Sequence, residues 1–409
     1  MKKQLSIALM TNNYRPMTGG VPISIERLAK GLMEQGHQVT VFAPSYPDWK
    51  GEEGAFSEET VFRYHTLLQH FIGGIVLPDP MDLRIEREFQ KKNFDIIHVH
   101  HPMLIGKTAC YLSRKYQIPL FFTYHTRYEQ YLKYYTGNVF GYERLMQLYL
   151  KGFFKYCSHV FAPTEGMLRY LEEDCSLPEE KVSVLPTGLE RAQYAAASPE
   201  ELQGLRRKYH AENCPLFLTV SRMAKEKNVE FLLRGLAALK QREAQPFQVL
   251  FVGEGPDREA LEALRNELGL KDVCHFTGQV ENERIPLYYQ AADAFLFASK
   301  TETQGIVLLE AFAGKTPVIA LRASGVEDIV TDGKTGLLTE ENPDSFARAI
   351  GRFLSDTTFR NELSWNAFLE SLSFREEMVA AEALRRYNES IVKEKCEGGH
   401  GKSVSYSCG

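Results

Sequence analysis

The chain has few of the features that would assign it at once. Its seven cysteines, at positions 110, 157, 175, 214, 274, 396 and 408, are odd in number and contain no Cys-x-x-Cys spacing. That disfavours a disulfide framework or a structural zinc site and suits a reducing, cytoplasmic setting. No apolar run approaches the ~18 residues that cross a bilayer, so any membrane contact is expected from one side. The lysine-led start MKKQLSIALMTNNYRP turns polar at Thr11-Asn-Asn13 and reads as a first buried strand rather than a signal peptide. The formal net charge of −5 offers nucleic acid no overall attraction, so a basic site has to be local. Gly-Lys-Thr occurs at 106, 314 and 333, but the glycine a P-loop needs five residues earlier is His101, Leu309 and Asp328. Val252-Gly-Glu-Gly255-Pro-Asp257 lacks the third glycine of a dinucleotide-binding turn, because Arg258 stands there, which argues against a dehydrogenase. No repeat of 20–50 residues is visible.

What is present is an ordinary globular composition, 44% hydrophobic and 25% charged, over 409 residues. That length exceeds one typical core and suits two domains. Short apolar runs alternate with helical patterns throughout, the mark of parallel α/β folds. Strands are expected at Leu5–Thr11, Gln38–Ala43, Phe94–His100, Leu120–Tyr124, Val160–Ala162 and Val182–Leu185. A second series is expected at Leu216–Val220, Val249–Val252, Val273–Thr277, Ala294–Ala298 and Val318–Ala320. The spacing of Ile23, Leu28 and Leu32 before Gly36 predicts an amphipathic helix closed by a glycine. The small, polar segment Gly188–Pro199 is placed as the interdomain linker.

The segment from Lys300 to Ala313 sets Glu302 and Glu310 eight residues apart around an apolar helix that starts at Gly305. Its free first-turn amides form a ready anion site. The two carboxylates could accept hydrogen bonds from hydroxyls on either side of a diphosphate. The same spacing also fits two merely solvated glutamates. Arg222 and Lys227 follow the first strand of the second series, and ligands of open α/β sheets bind at strand carboxyl ends. A guanidinium fork and a compact ammonium suit a leaving diphosphate, although a solvated basic loop has the same composition. Thr18-Gly19-Gly20-Val-Pro22 joins the first strand to the first helix, and its amides can approach phosphate or sugar oxygens.

With Ala323-Ser-Gly-Val-Glu-Asp328 and Asp332-Gly-Lys-Thr-Gly-Leu337, the Glu-x7-Glu segment resembles the retaining glycosyltransferases of family 4, over roughly residues 4–390. The resemblance implies the GT-B α/β fold, in which two Rossmann-like, doubly wound domains face each other across a cleft. An acceptor domain would cover residues 1–190 and a nucleotide-sugar domain 191–373. A final helix over 374–393 would return to the first domain, and the glycine- and serine-rich tail 398–409 is expected to be disordered. The resemblance further implies that Arg222 and Lys227 bind the donor diphosphate, Glu302 the sugar hydroxyls and Glu310 the ribose. Amides at Gln304, Gly305 and Ile306 would stabilise the departing UDP, and the turns at Gly253 and Gly278 would lie near the nucleoside. Gly19 and Gly20 match the family's N-terminal glycine loop, His125 the residue that contacts the donor sugar, and His101 an acceptor-side loop. The donor is a substrate and no cofactor is implied.

His98, His100, His101 and His125 lie at the ends of two expected strands. A metal site is not expected there: no carboxylate has ligand spacing, and strand alternation turns His101 away from His98 and His100. The chain also lacks Asp-x-Asp, the diphosphate–metal motif of the other large transferase fold. The stretch after His125 carries Arg127, Lys133, Arg144, Lys151 and Lys155 against Glu129 and Glu143, among seven tyrosines and three phenylalanines. Basic and aromatic residues on an amphipathic helix favour an anionic bilayer interface, while an aromatic core helix with solvated lysines is the alternative. This region most resembles enzymes that glucosylate diacylglycerol at the cytoplasmic leaflet. The expectation is therefore an α-retaining hexosyltransferase using a UDP-sugar, peripheral on the inner face of the membrane, with a lipid or glycan acceptor. A soluble acceptor, a phosphorylase and a non-catalytic sugar-nucleotide binder are the alternatives.

Overall fold

The computed structural model describes residues 3–17, 19–46, 60–68, 76–128, 141–190, 194–242 and 245–399, with backbone alone at 394–399. Thr18, Lys133 and the tail from 400 onward lie outside the described residues. The described residues divide into two compact units, one running to Gly188 and resuming at Glu376, the other spanning Leu189–Arg375.

The first unit contains β1 (Ser6–Met10), α1 (Gly20–Glu34), β2 (Gln38–Pro44), β3 (Val61–Tyr64), β4 (Thr66–Leu68), β5 (Leu77–Pro78), α2 (Leu83–Lys91), β6 (Ile96–Val99), α3 (Ile105–Tyr116) and β7 (Leu120–Thr123). It continues with α4 (Tyr142–Phe154), β8 (His159–Ala162), α5 (Glu165–Glu173) and β9 (Val182–Val184). Its seven-stranded parallel sheet has the order β3-β2-β1-β6-β7-β8-β9. Its central strands β1, β6 and β7 are buried along nearly their whole length because both faces are covered. Alternate residues of β1 go to opposite cores: Ala8 and Met10 pack on one side, Ile7 and Leu9 on the other.

The second unit contains α6 (Pro199–Lys208), β10 (Leu216–Val220), α7 (Val229–Arg242), β11 (Gln248–Val252), α8 (Arg258–Glu267), β12 (Cys274–Gly278), α9 (Ile285–Ala291) and β13 (Ala294–Phe297). It continues with α10 (Ile306–Ala313), β14 (Val318–Leu321), β15 (Gly336–Thr339), α11 (Pro343–Ser355) and α12 (Thr357–Ser371). Its six strands run β12-β11-β10-β13-β14-β15, all parallel. In both sheets the order reverses beside the first strand, between β1 and β6 and between β10 and β13. Such a reversal opens a crevice at the strand carboxyl ends, where ligands of these folds bind.

Helix ends follow local chemistry. α1 closes at Gly36 (φ 87°) with His37 N–H donating to Leu32 O and Gly36 N–H to Met33 O, the paired bonds of a Schellman ending. α6 opens on a reciprocal capping box of Ser198 and Glu201. The last helix, α13 (Glu376–Gly399), extends past the expected end at Lys393 and belongs to the first unit. Its Ala380, Ala383 and Tyr387 are fully buried in the core that includes Ile25, Leu28 and Leu32 of α1. Arg27 donates to Gly188 O at 3.0 Å, and Lys30 meets Glu376 at 3.5 Å.

Strands β3 and β15, both at sheet edges, were not among the expected runs. Arg63 interrupts β3, and β15 runs from Gly336 to Thr339 with only two apolar residues between, so neither shows the apolar signature of a central strand.

Candidate active site

The second unit brings its charged candidates to the reversal point between β10 and β13. Lys227 ends a 3-10 turn after β10, and Glu302 lies in the loop after β13. They meet at 2.5 Å, Lys227 Nζ donating to Glu302 Oε1. Burial pushes the Glu302 carboxyl up, but the Lys227 charge and hydrogen bonds from Lys227 and the Ser299 hydroxyl outweigh it, leaving the group below its ordinary pKa. The residues expected in separate roles are thus partners. An ammonium has three donors, so this bond leaves two that Glu302 does not use.

Arg222 is exposed. The loops beneath it are laced together: Ser221 N–H donates to Val252 O, Met223 N–H to Glu254 O, Asp257 N–H to Met223 O, and Gly253 N–H to Gly278 O, all at 2.9–3.0 Å. Gly253 is required by this lacing, because its φ is 132° and a Cβ there would sit 2.1 Å from Ser221 O. Gly278 ends β12 in the same cluster. Arg258, at the place of the missing third glycine, is held by Glu254 and Glu262.

Gly305 precedes α10 in the left-handed region (φ 68°), and no side chain caps the helix. Ile306 is its first residue and is half-buried, while Gln304 is 3% exposed. Glu310 is buried on the same helix and accepts from the Tyr289 hydroxyl at 3.4 Å. The contrast with other helices is informative, because Asp82, Thr164, Ser198, Asn342 and Asp356 each cap a helix from their side chains. Uncapped first-turn amides at a strand-end crevice are those open to an anion.

The first unit builds a different surface at the reversal between β1 and β6. Gly19 and Gly20 open α1, again with no side-chain cap. His101 Nδ1 accepts from Asn12 N–H at 3.2 Å and contacts the Thr11 hydroxyl at 3.2 Å. Asn12 in turn bridges to α3, donating to Met103 O and accepting from Ile105 N–H. His125 follows β7, and its Nε2 lies 2.9 Å from His100 Nδ1. Burial pushes the imidazoles down, His101 to about 4 and His98 and His125 to about 3, so they stay neutral at ordinary pH. Among the described residues no group of three or more His, Cys, Asp or Glu side chains could hold a metal ion.

The basic segment is divided. Arg127 is half-buried, with its guanidinium 4.2 Å from the centre of the Tyr170 ring. Lys151 is half-buried and donates to Ser176 at 3.2 Å. Arg144 and Lys155 are exposed on or beside α4, with Leu145 and Leu148, while Met146, Leu150, Phe153 and Phe154 face the core. On the adjoining α3, exposed Lys107, Tyr111 and Arg114 continue this surface, with Arg114 lying over the Tyr156 ring at 5.9 Å. Sequence reading missed this α3 contribution, along with Ser299, Asn12 and Tyr289, since each acts through a partner distant in the chain. Among the described residues no helix is long and apolar enough to cross a membrane.

Comparison with known proteins agrees with this geometry. Residues 18–193 match the family described as Glycosyltransferase Family 4, and residues 204–369 match Glycosyl transferases group 1. The alpha-monoglucosyldiacylglycerol synthase of Streptococcus pneumoniae is 30% identical over 90% of this chain and 82% of its own length. The protein of the same name from Acholeplasma laidlawii is 26% identical, over 95% of this chain and 98% of its own. Among solved structures, Anabaena HepE in complex with UDP and glucose superposes with a TM-score of 0.74 at 18% identity, covering 94% of this chain and all of that one. With the two parallel Rossmann-type sheets described above, this likeness gives the chain the GT-B fold class. Family matches in both units, joined to a chain-long relative, show that this hexosyltransferase belongs to glycosyltransferase family 4.

Proposed function

We propose that the chain transfers glucose from UDP-glucose, with retention of the α configuration, to a membrane lipid such as diacylglycerol. The observation that carries the reading is the Lys227–Glu302 pair at the β10/β13 reversal, with Arg222 and the uncapped start of α10 in the same unit. Arg222 and the two remaining donors of Lys227 take the diphosphate, replacing a metal ion as its counter-charge. Amides at Gln304, Gly305 and Ile306 add to this stabilisation as the glycosidic bond breaks, where preorganised donors contribute most. Glu302 orients sugar hydroxyls, Glu310 accepts from the ribose, and His125 contacts the transferred sugar. The leaving phosphate takes the acceptor's proton on the same face, so no covalent nucleophile is needed.

The names of the two synthases support glucose and diacylglycerol, and the UDP and glucose in HepE support the donor. Attachment to the inner leaflet is assigned to the exposed residues of α4, α3 and the turn after α4, where the cations Arg144, Lys155, Lys107 and Arg114 accompany Leu145, Leu148 and Tyr156. Cations over apolar side chains suit an anionic interface. The test is a transfer assay with UDP-glucose and GDP-mannose, on diacylglycerol vesicles and on soluble sugars, with and without EDTA. Glucosyl-diacylglycerol formed in EDTA is expected. Preference for GDP-mannose, a soluble acceptor or an added divalent cation would each overturn the corresponding part.

A further inference from the structure

His125 has a partner to which the sequence reading gave no role. Strands β6 and β7 pair in parallel, His98 beside Phe121 and Val99 beside Phe122, which brings the residues just beyond both strands together. There the His100 and His125 rings meet edge to edge, tilted by only 20° with centroids 5.1 Å apart, and His100 Nδ1 lies 2.9 Å from His125 Nε2. One face of His100 stacks on His98, with centroids 4.5 Å apart. His98 is itself pinned, Nδ1 by the Tyr387 hydroxyl of α13 at 2.6 Å and Nε2 by the Thr123 hydroxyl at 2.7 Å. The imidazoles thus link the last helix to His125, His98 by stacking on His100 and His100 by an edge-on hydrogen bond.

Two ring nitrogens at hydrogen-bond distance need one proton between them. His100 is 1% exposed and its Nε2 has no hydrogen-bond partner. Were its proton on Nε2, an N–H donor would be stranded in the interior; with the proton on Nδ1, only a bare lone pair is stranded. Orphaned buried donors are the rarer of the two. We propose that His100 is a positioning residue, whose Nδ1–H donates to His125 Nε2 and so holds the His125 ring in the Nδ1–H tautomer that meets the sugar. Burial, which lowers both imidazoles well below 6.5, keeps the pair neutral and the assignment stable across ordinary pH. The inference rests on the sugar-contacting role of His125 proposed above.

Three variants test it. His100→Phe keeps a stacked ring without nitrogen, His100→Asn restores an N–H close to the Nδ1 place, and His125→Phe removes the residue being held. His100→Phe is expected to lower kcat roughly 10- to 100-fold through misplacement of His125, with KM for UDP-glucose changed less than about 3-fold. His100→Asn is expected to recover most of that loss. Nitrogen-15 spectra of histidine-labelled protein are expected to show His125 protonated at Nδ1 in the wild type and shifted toward Nε2–H in His100→Phe. A wild-type His125 protonated at Nε2, a tautomer unmoved in His100→Phe, or wild-type kcat in a folded His100→Phe protein would each overturn the proposal. Full turnover in His125→Phe would instead sink the sugar contact, and with it the catalytic half of this inference, while the spectra still read the hydrogen bond itself.

Discussion

Where β10 meets β13 the loops carry Arg222, Lys227 and Glu302, whereas where β1 meets β6 they carry Thr11, Asn12, His100 and His101. The two sheets reverse at equivalent places and leave uncapped helices there, α10 in one and α1 in the other. The chemistry set on that shared frame differs in kind. One crevice is lined with permanent charges, and its carboxylate is held ionised by Lys227. The other holds imidazoles that burial keeps neutral. Topology locates the crevice, and the residues just past each strand decide whether it suits a diphosphate or neutral hydroxyls.

The comparison breaks most readily through the charged side. Arg222→Ala and Lys227→Ala are expected to lower kcat roughly 100- to 1000-fold, since each removes a donor aimed at developing charge, with UDP affinity falling far less. Steady-state kinetics decide this, and a loss confined to KM would make these residues anchors of the ground state.

Next in size is a backbone contrast. Gly253→Ala forces a Cβ against Ser221 O, whereas at Gly19 a Cβ would meet nothing within 4 Å. Gly253→Ala is therefore expected to cost about 3 kcal/mol, and Gly19→Ala, strained by its φ of 158° but free of a clash, less than that, read from denaturant midpoints. Equal losses would mean that the strand-end lacing is not what the glycine serves.

The neutral side sharpens the contrast through pH. His98 titrates near 3 in the folded chain against an ordinary 6.5, so the unfolded chain binds the extra proton between those values. Stability is then complete above pH 6.5 and falls as pH drops through the window, by about 2 kcal/mol at pH 5 from His98 alone. Urea melts at pH 7.5 and 5 would show it, and a His98→Asn variant should lose part of that dependence. A first unit equally stable at both values would contradict the neutral imidazoles.

Smallest is the surface of α4. Lys155→Gln is expected to weaken binding to anionic vesicles by about 1 kcal/mol, roughly 5-fold, at low salt, and physiological salt should shrink the difference. Co-sedimentation unaffected by the change would move the docking face elsewhere.

Much of this was legible in the chain itself. Both-face burial makes the central strands plain apolar runs, so β1, β6, β7, β10, β11 and β13 could be placed within a residue or two. Of the edge strands β9 and β12 were also expected, but β3 and β15 were not, because Arg63 interrupts one and only two apolar residues stand between Gly336 and Thr339 in the other. The site residues were equally visible as types: Arg222, Lys227, Glu302 and Glu310 stand beside strand ends in the one-letter code. Arg127 and Lys151 show the limit, since charge and periodicity placed them with Arg144 and Lys155, yet one lies over Tyr170 and the other reaches Ser176.

The sequence by itself therefore determined the alternation of strands and helices, the faces they bury and which loops carry polar chemistry, because those follow from local periodicity and turn residues. Only the tertiary structure decided the partners: Lys227 with Glu302 across 75 residues, His100 with His125 across 25, and His98 with Tyr387 across 289. A period of two tells which face a side chain takes, but its neighbour on that face depends on strand order and register. Those are settled when distant segments pack together, and no local pattern encodes them.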